Sequence, residues 1–230
     1  MHFFSSLAAL ATAGMLVNAN PLQIHIDVPN DTPLQKDIQS DLNAASSPTH
    51  SVRPTDDDKL DIEFGKCYRI KDHNDEKLGL YSIYYKFGGE DGNRVFRVCR
   101  ETGACKNENR NDQQVRTQEH FYLKDADGSS ISNGPAWMAS AGSLLYPLPN
   151  GYPNLYIAKL WGYPVCEDDD EDKDGEDCEI CVSQREAYNK WNGLSTQANT
   201  KYITTSPNER QCVYLKFKKV RCPPHLMSED

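Results

Sequence analysis

Two stretches of the chain share one template: Ile70-Lys71-Asp72-His73-Asn74-Asp75-Glu76-Lys77-Leu78 and Leu123-Lys124-Asp125-Ala126-Asp127-Gly128-Ser129-Ser130-Ile131. Each reads aliphatic-x-Asp-x-(Asn/Asp)-(Asp/Gly)-x-x-aliphatic. After five intervening residues comes an aromatic, Tyr84 or Trp137, and an aromatic at a matched offset, Tyr68 or Phe121, precedes. The chemistry is that of a hairpin: a strand ends in an Asp that bonds its own backbone, the next residues tolerate positive φ, and the return strand starts on a large apolar residue. A third copy is then expected downstream. Tyr163-Pro164-Val165-Cys166 supplies an outgoing strand, Cys178-Glu179-Ile180-Cys181-Val182 the return, and Asp174-Gly175 a turn inside an enlarged loop. Units starting near residues 68, 121 and 161 around one axis make an all-β, β-trefoil-like barrel of three hairpin-based repeats with an enlarged acidic loop.

Outward from these stretches, short strand candidates recur at 67–71, 94–100, 120–124, 155–161, 179–182, 200–204 and 212–220, broken by Gly, Asn, Asp and Pro clusters. In the last, Val213, Leu215 and Phe217 alternate with Tyr214, Lys216 and Lys218, giving one buried and one wet face. Only 184–191 reads as a short helix. The region 61–224 is long enough for a single core. Residues 1–19 read as a signal peptide, with an apolar stretch from Leu7 to Val17 and a small-residue cleavage site at Ala19. Residues 20–60 are mostly polar, rich in Pro, Ser and Asp and free of aromatics and cysteine, a leader with too little apolar surface to order itself. Within it Asn30-Asp31-Thr32 is a glycosylation sequon. Residues 225–230 are a flexible end.

The residues from Ile70 to Tyr84 resemble the signature near the start of Kunitz-type inhibitors of the soybean trypsin inhibitor class, which are β-trefoils. Lys86 departs from it, standing where that family has an aliphatic residue. The far end is similar too: Tyr163-Pro164-Val165-Cys166, a polar loop, the Cys178–Val182 run and the closing strand Val213-Tyr214-Leu215-Lys216-Phe217. Cys99 falls about where the family's first cysteine stands. Its partner is absent at the family's spacing, and Cys67, Cys105, Cys181, Cys212 and Cys222 are additional. The resemblance implies a trefoil and, with it, inhibition of a secreted protease or other hydrolase through an exposed loop.

Charge is concentrated in one place. Residues 167–179 hold ten acids and one base, Lys173, for −9, which equals the net charge of the whole chain. Asp170, Asp172 and Asp174 with Gly175 match the first half of an EF-hand loop and are candidate calcium ligands, but Asp177 and Cys181 occupy the eighth and twelfth positions, where an apolar residue and a bidentate Glu belong. The loop reads first as a disulfide-framed turn. Eight cysteines, Cys67, Cys99, Cys105, Cys166, Cys178, Cys181, Cys212 and Cys222, form an even set suited to an oxidising compartment. Zinc at Cys178-x-x-Cys181 lacks two further ligands at usable spacing. Cys166 is expected to pair with Cys178 or Cys181; the remaining connectivity is open.

Among the histidines outside the first 60 residues, His73, His120 and His225, none falls in a nucleophile elbow, a zinc-hydrolase helix or a thiol pair. His120 beside Glu119 is the one candidate acid–base pair, of a ribonuclease type. No catalysis and no cofactor are expected, nor a nucleic-acid partner, membrane insertion or an oligomer; the chain reads as a secreted monomer that works by binding. The first reading is an inhibitor of a secreted hydrolase acting through the loop 105–119, with Arg110 and Arg116 as specificity residues. The second is an effector-like or lectin-like protein that engages a host surface or an extracellular glycan, with Tyr81, Tyr84, Tyr85, Trp137, Trp161 and Trp191 as candidate stacking groups. A secreted hydrolase or ribonuclease ranks third.

Overall fold

The structure, a computed structural model, describes residues 59–103, 105, 113–130, 132, 134–140, 142–166, 178–187 and 190–227. Over these the chain is almost entirely β. Its strands are β1 (Lys59–Glu63), β2 (Cys67–Asp72), β3 (Leu78–Tyr81), β4 (Tyr84–Phe87), β5 (Phe96–Cys99), β6 (Gln114–Arg116), β7 (Tyr122–Asp125), β8 (Ala136–Ser140), β9 (Leu145–Pro149), β10 (Lys159–Val165), β11 (Glu179–Arg185), β12 (Gly193–Thr196), β13 (Ile203–Ser206) and β14 (Val213–Val220). A 3-10 turn covers Asn154–Tyr156 and a four-residue helix, α1, covers Pro224–Met227. The helix expected at 184–191 does not form: Gln184 is buried in β11, and its side chain bonds across units.

Three four-strand units follow one another: β2–β5, β7–β10 and β11–β14. In each the middle two strands are a hairpin, β3–β4, β8–β9 or β12–β13. The outer two lie in a ring of six, where β14 pairs β2 from Leu215↔Asp72 to Val220↔Cys67, and β2–β5, β5–β7, β10–β11 and β11–β14 continue it. Between β7 and β10 only the bridge Phe121↔Leu160 joins the strands. The ring of ladders is left incomplete at that seam, so the architecture is trefoil-like without a closed barrel. The hairpins meet one another through Lys86↔Tyr202 and Leu144↔Thr204. A further pair, β1 with β6, lies outside the three units, yet Leu60, Ile62 and Val115 are fully buried in the main core with Tyr68, Phe87, Phe96, Phe121 and Leu145.

The repeated template folds as its chemistry requires. Asp72 Oδ1 accepts the amides of Asn74 (3.0 Å) and Glu76 (2.8 Å), and Asp125 Oδ1 those of Asp127 (3.0 Å) and Gly128 (3.3 Å). The shared sixth position carries the left-handed backbone in both copies, Asp75 at φ 62° and Gly128 at φ 61°. Gly128 has little freedom to change, since a Cβ there would lie 1.8 Å from the carbonyl oxygen of Gly134. The aromatics after the turn are not equivalent, however. Lys71 bridges Lys77 and its counterpart Lys124 pairs with Trp137, so Trp137 starts its hairpin while Tyr84 lies on the second strand of its own. The second turn is longer, and identical spacing in sequence does not survive it.

The third unit is a correction. The strands 163–166 and 178–182 do pair, as Val165↔Glu179 through Tyr163↔Cys181, and Cys166 is bonded to Cys178. This hairpin joins the second unit to the third, however, and is not the first turn of a repeat. The true counterpart of Ile70-Lys71-Asp72 is Val182-Ser183-Gln184 at the end of β11, with Gln184 replacing the Asp. Its amide nitrogen donates to Trp191 O (2.7 Å) and its amide oxygen accepts from Ser140 Oγ (3.0 Å) on the second unit. Asp125 makes the corresponding link between the first two units: its Oδ2 accepts from Tyr85 Oη (2.9 Å) and Arg94 Nε (2.8 Å), all three groups being buried.

The other disulfides are Cys67–Cys222, Cys99–Cys105 and Cys181–Cys212, so no free thiol is left among the eight. Cys67–Cys222 spans 155 residues and Cys99–Cys105 only 6. On the loop-entropy account, removing the first by paired Cys→Ser substitution costs about 3 kcal/mol more than removing the second. Urea unfolding of the two double variants measures this difference; equal midpoints would show that the long bridge adds no constraint beyond the β2–β14 ladder.

Candidate functional site

The tip of the third hairpin is a tight turn: Gln197 N donates to Tyr202 O (3.0 Å), Lys201 N to Gln197 O (2.7 Å), and Lys201 sits at φ 60°. Phe87 N bonds Lys201 O (3.0 Å), which docks this tip on β4 of the first unit. Two surfaces with different chemistry flank it.

On the β4 side, Tyr202 meets Tyr81 and Tyr84 edge-on, with ring centroids 6.3 and 6.4 Å apart. Lys86 Nζ lies 5.1 Å from the Tyr81 centroid and 5.5 Å from that of Tyr202, a cation–π pairing that fixes both rings. Tyr81 is 49% exposed although it flanks a hairpin whose neighbour Tyr85 is 0% exposed. Burial, then the nearby Tyr81 and Tyr84, raise the Tyr202 phenol above its ordinary range. The tyrosines continue onto the second unit: burial pushes the Tyr146 phenol up to about 12, with Tyr156, Tyr84 and Tyr152 as its polar neighbours. The exposed large apolar side chains of the described residues, Tyr81, Tyr152 and Leu155, all lie on the first hairpin or in the β9–β10 connection next to these rings.

On the β14 side lies an open groove of about 390 Å³ lined by Asn74, Tyr163, Gln197, Lys201, Arg210 and Tyr214, among others. Burial, then Tyr214, raise the Tyr163 phenol. Arg210 is exposed; its backbone amide is held by Asn208 Oδ1 (3.1 Å), and its guanidinium has no partner among the described residues. Lys201 pairs with Glu76 on the ridge between the two surfaces. His73 at the groove's edge lies 3.1 Å from Glu179, the residue that follows the Cys166–Cys178 bridge. Stacking faces, amides and a planar guanidinium converge here, the inventory that grips a ring bearing several hydroxyls: rings take its C–H face, and amide and guanidinium N–H groups take its oxygens.

The other residues singled out from sequence are not gathered here. Arg116 is exposed on β6, paired with Lys59, and its backbone N–H bonds Glu119 Oε2 (3.0 Å); it belongs to a strand, not to a free-standing loop. Arg110, the candidate calcium ligands Asp170, Asp172 and Asp174, and Asn30 lie outside the described residues. Among those described, no three His, Cys, Asp or Glu side chains are grouped to hold a metal. Glu119 is bonded by Arg100 and by the Arg116 amide, so its carboxylate serves those donors and not His120. Of the six named aromatics, Tyr85 and Trp137 are core, Trp161 and Trp191 are half-buried, and Tyr81 and Tyr84 belong to the platform. Sequence reading missed Tyr163, Tyr202, Tyr214 and Arg210; the available signal was the tyrosine content itself, 12 against 3 Trp and 7 Phe.

No protein-family model and no curated protein matches the chain. The Kunitz-type likeness is therefore not confirmed, and what the described residues show is the trefoil-like arrangement of strands alone. Two solved structures are similar in outline. One, described as HCR/D-Sa-GBL1/C, has 12% identity and a TM-score of 0.43, with 74% of this chain and 47% of that one covered. The other, a botulinum neurotoxin serotype C1 binding domain, has 14% identity and a TM-score of 0.40, covering 81% and 50%. The chain spans about half the length of each, and neither likeness bears on what it binds. No helix of the described residues is long and apolar enough to cross a membrane.

The two neighbouring tyrosines separate platform from core. Tyr81→Ala removes an exposed ring and is expected to change stability by no more than about 1 kcal/mol. Tyr85→Ala empties a core site and strands Asp125, costing about 3–5 kcal/mol. Denaturant melts of both variants check this, and a Tyr81→Ala loss as large as that of Tyr85→Ala would make Tyr81 a structural residue.

Proposed function

We propose that the chain is a secreted, lectin-like binding protein that takes extracellular glycans on the face of its third hairpin. The observation that carries this reading is the pairing of an exposed, cation-fixed tyrosine platform with a groove of tyrosine, amide and guanidinium groups on the two sides of one tip. The groove is framed by disulfide-bonded segments, and the platform by the β3–β4 hairpin. Cys181–Cys212 ties β11 to the segment that carries Arg210, so little ordering cost falls on binding. The apolar N-terminal stretch and the four disulfides support a route through an oxidising, extracellular compartment.

The same arrangement argues for neutral or mixed glycans over strongly anionic ones. In sequence, nine of the ten acids of 167–179 fall in the stretch that Cys166–Cys178 closes, and the tenth, Glu179, lies 3.1 Å from His73 at the groove's edge, a local charge that disfavours a strongly anionic ligand. The hydrolase-inhibitor reading draws no comparable support from the described residues, since Arg116 sits in a paired strand.

Binding of the oxidised protein to an array of extracellular glycans tests the proposal. The expected result is a set of neutral glycans whose binding falls about tenfold or more in Tyr81→Ala/Tyr202→Ala and in Arg210→Ala, about 1.4 kcal/mol at the least, with folding retained. Glycan binding untouched by either variant would move the site. An array without binders, together with stoichiometric protease inhibition lost in Arg110→Ala/Arg116→Ala, would replace the reading with the inhibitor one.

A further inference from the structure

The seam between β7 and β10 is the least-bonded joint of the six-strand ring. Five other neighbours in the ring share between two and seven register pairs, and this one has the single bridge Phe121↔Leu160, closed by Phe121 N to Leu160 O and Leu160 N to Phe121 O, both 2.9 Å. Next to it Gln118 N bonds Gly162 O (2.9 Å). With Phe121 and Leu160 pointing into the core, their neighbours His120 and Trp161 face outward across the same seam.

Three polar atoms at this place are buried without a hydrogen-bond partner among the described residues: His120 Nδ1, Trp161 Nε1 and Thr117 Oγ1. Arg185 lies over Trp161, its guanidinium carbon 4.5 Å from the ring centroid. The charged groups around His120 are Lys159 on β10, Arg185 and Glu186 on β11, and Glu119 in its own turn, with the phenol of Tyr122 on β7 nearby. Both carboxylates are engaged elsewhere, Glu186 with Lys159 (2.8 Å) and Glu119 with Arg100. We propose that the seam is an acid-sensitive latch: neutral His120 lets it stay shut, and protonation of the imidazole, with a second N–H that finds no acceptor and two cations beside it, opens β7 from β10.

Burial above all, then Lys159 and Arg185, hold the imidazole's affinity for a proton below the ordinary histidine value, against the smaller opposing pull of Glu186 and Glu119. The folded seam therefore binds the proton less well than the opened one. Its stability is fully present above the unfolded pKa of about 6.5 and is lost as pH falls below it through the depressed folded value. Opening also gives the stranded Trp161 and Thr117 groups access to water, so part of what closure withholds is recovered on release. The latch is argued from the β7–β10 joint alone and does not depend on the glycan reading, although Trp161 at the seam lies 6.2 Å from the groove's Tyr163.

The test is amide hydrogen exchange of the whole oxidised protein, read as protection factors at about pH 7 and about pH 5. Protection at Phe121 and Leu160 is expected to drop at least a few-fold, while the β2–β14 ladder keeps its protection. In His120→Gln, which stays neutral, the drop should vanish. Lys159→Gln, which removes one of the two cations and leaves the histidine, should reduce it, and serves if His120→Gln does not fold. Unchanged protection in the parent protein, an equal drop in His120→Gln, or an equal drop along the β2–β14 ladder would each overturn the latch.

Discussion

The pairing of the second strand with the last is the constraint from which the rest of this molecule follows. β2 and β14 lie 155 residues apart at their disulfide, and six register pairs together with Cys67–Cys222 hold them side by side. Arg97 strengthens the closure from within: although 1% exposed, it donates to Gly65 O at the start of β2 and to Leu226 O in the terminal helix. Lys219 pairs with Glu63 across the same junction. A ring closed at this point forces the three hairpins toward one axis, and only then does the third hairpin's tip reach β4. Long-range closure is costly in chain entropy, and a covalent staple over the longest loop is where such a staple returns most.

From that closure the proposed binding face is a consequence of packing. Tyr202 meets Tyr81 and Tyr84 because Lys86 bridges Tyr202 across two units, and Arg210 is aimed into the groove because Cys212 is bonded to Cys181 on the neighbouring strand. Residues from all three units thus line the two surfaces on either side of the tip, which no single unit could build. Several cations are matched: Arg94 with Asp125, Arg100 with Glu119, Lys159 with Glu186, Lys201 with Glu76. Of the exposed guanidinium groups without a partner among the described residues, that of Arg210 is the one that lines the groove.

How far the sequence could be read depended on whether the information was local. The turns at Asp72 and Asp125 were legible because an Asp that bonds its own backbone two residues on, followed by a left-handed position, is written in consecutive residues. The alternation in β14 was legible for the same reason, and Val213 and Leu215 are buried while Tyr214 and Lys216 are not. The third unit was misplaced because its counterpart of the Asp is Gln184, whose amide bonds across units to Ser140 instead of closing its own turn. The acidic hairpin carried the stronger local turn chemistry and took the assignment. The hairpin strands β3, β8, β9 and β12 are short, with core side chains on both faces in β8, and they lack the alternation that would have marked them. The site was almost illegible: Tyr81, Asn74, Tyr163, Tyr202, Arg210 and Tyr214 are scattered over 141 positions (214 − 74 + 1), and only the fold makes them neighbours.

The most direct test of the account is backbone amide chemical-shift mapping of the oxidised, isotope-labelled protein titrated with a mixture of neutral oligosaccharides. The account predicts that perturbed amides gather at 73–74, 81–86, 195–202 and 210–214, on either side of the third hairpin's tip, with the rest of the ring unmoved. Perturbations gathered at 100–119 would contradict it, because they would put the working surface on the connection between the first two units and leave the tyrosine face without a role.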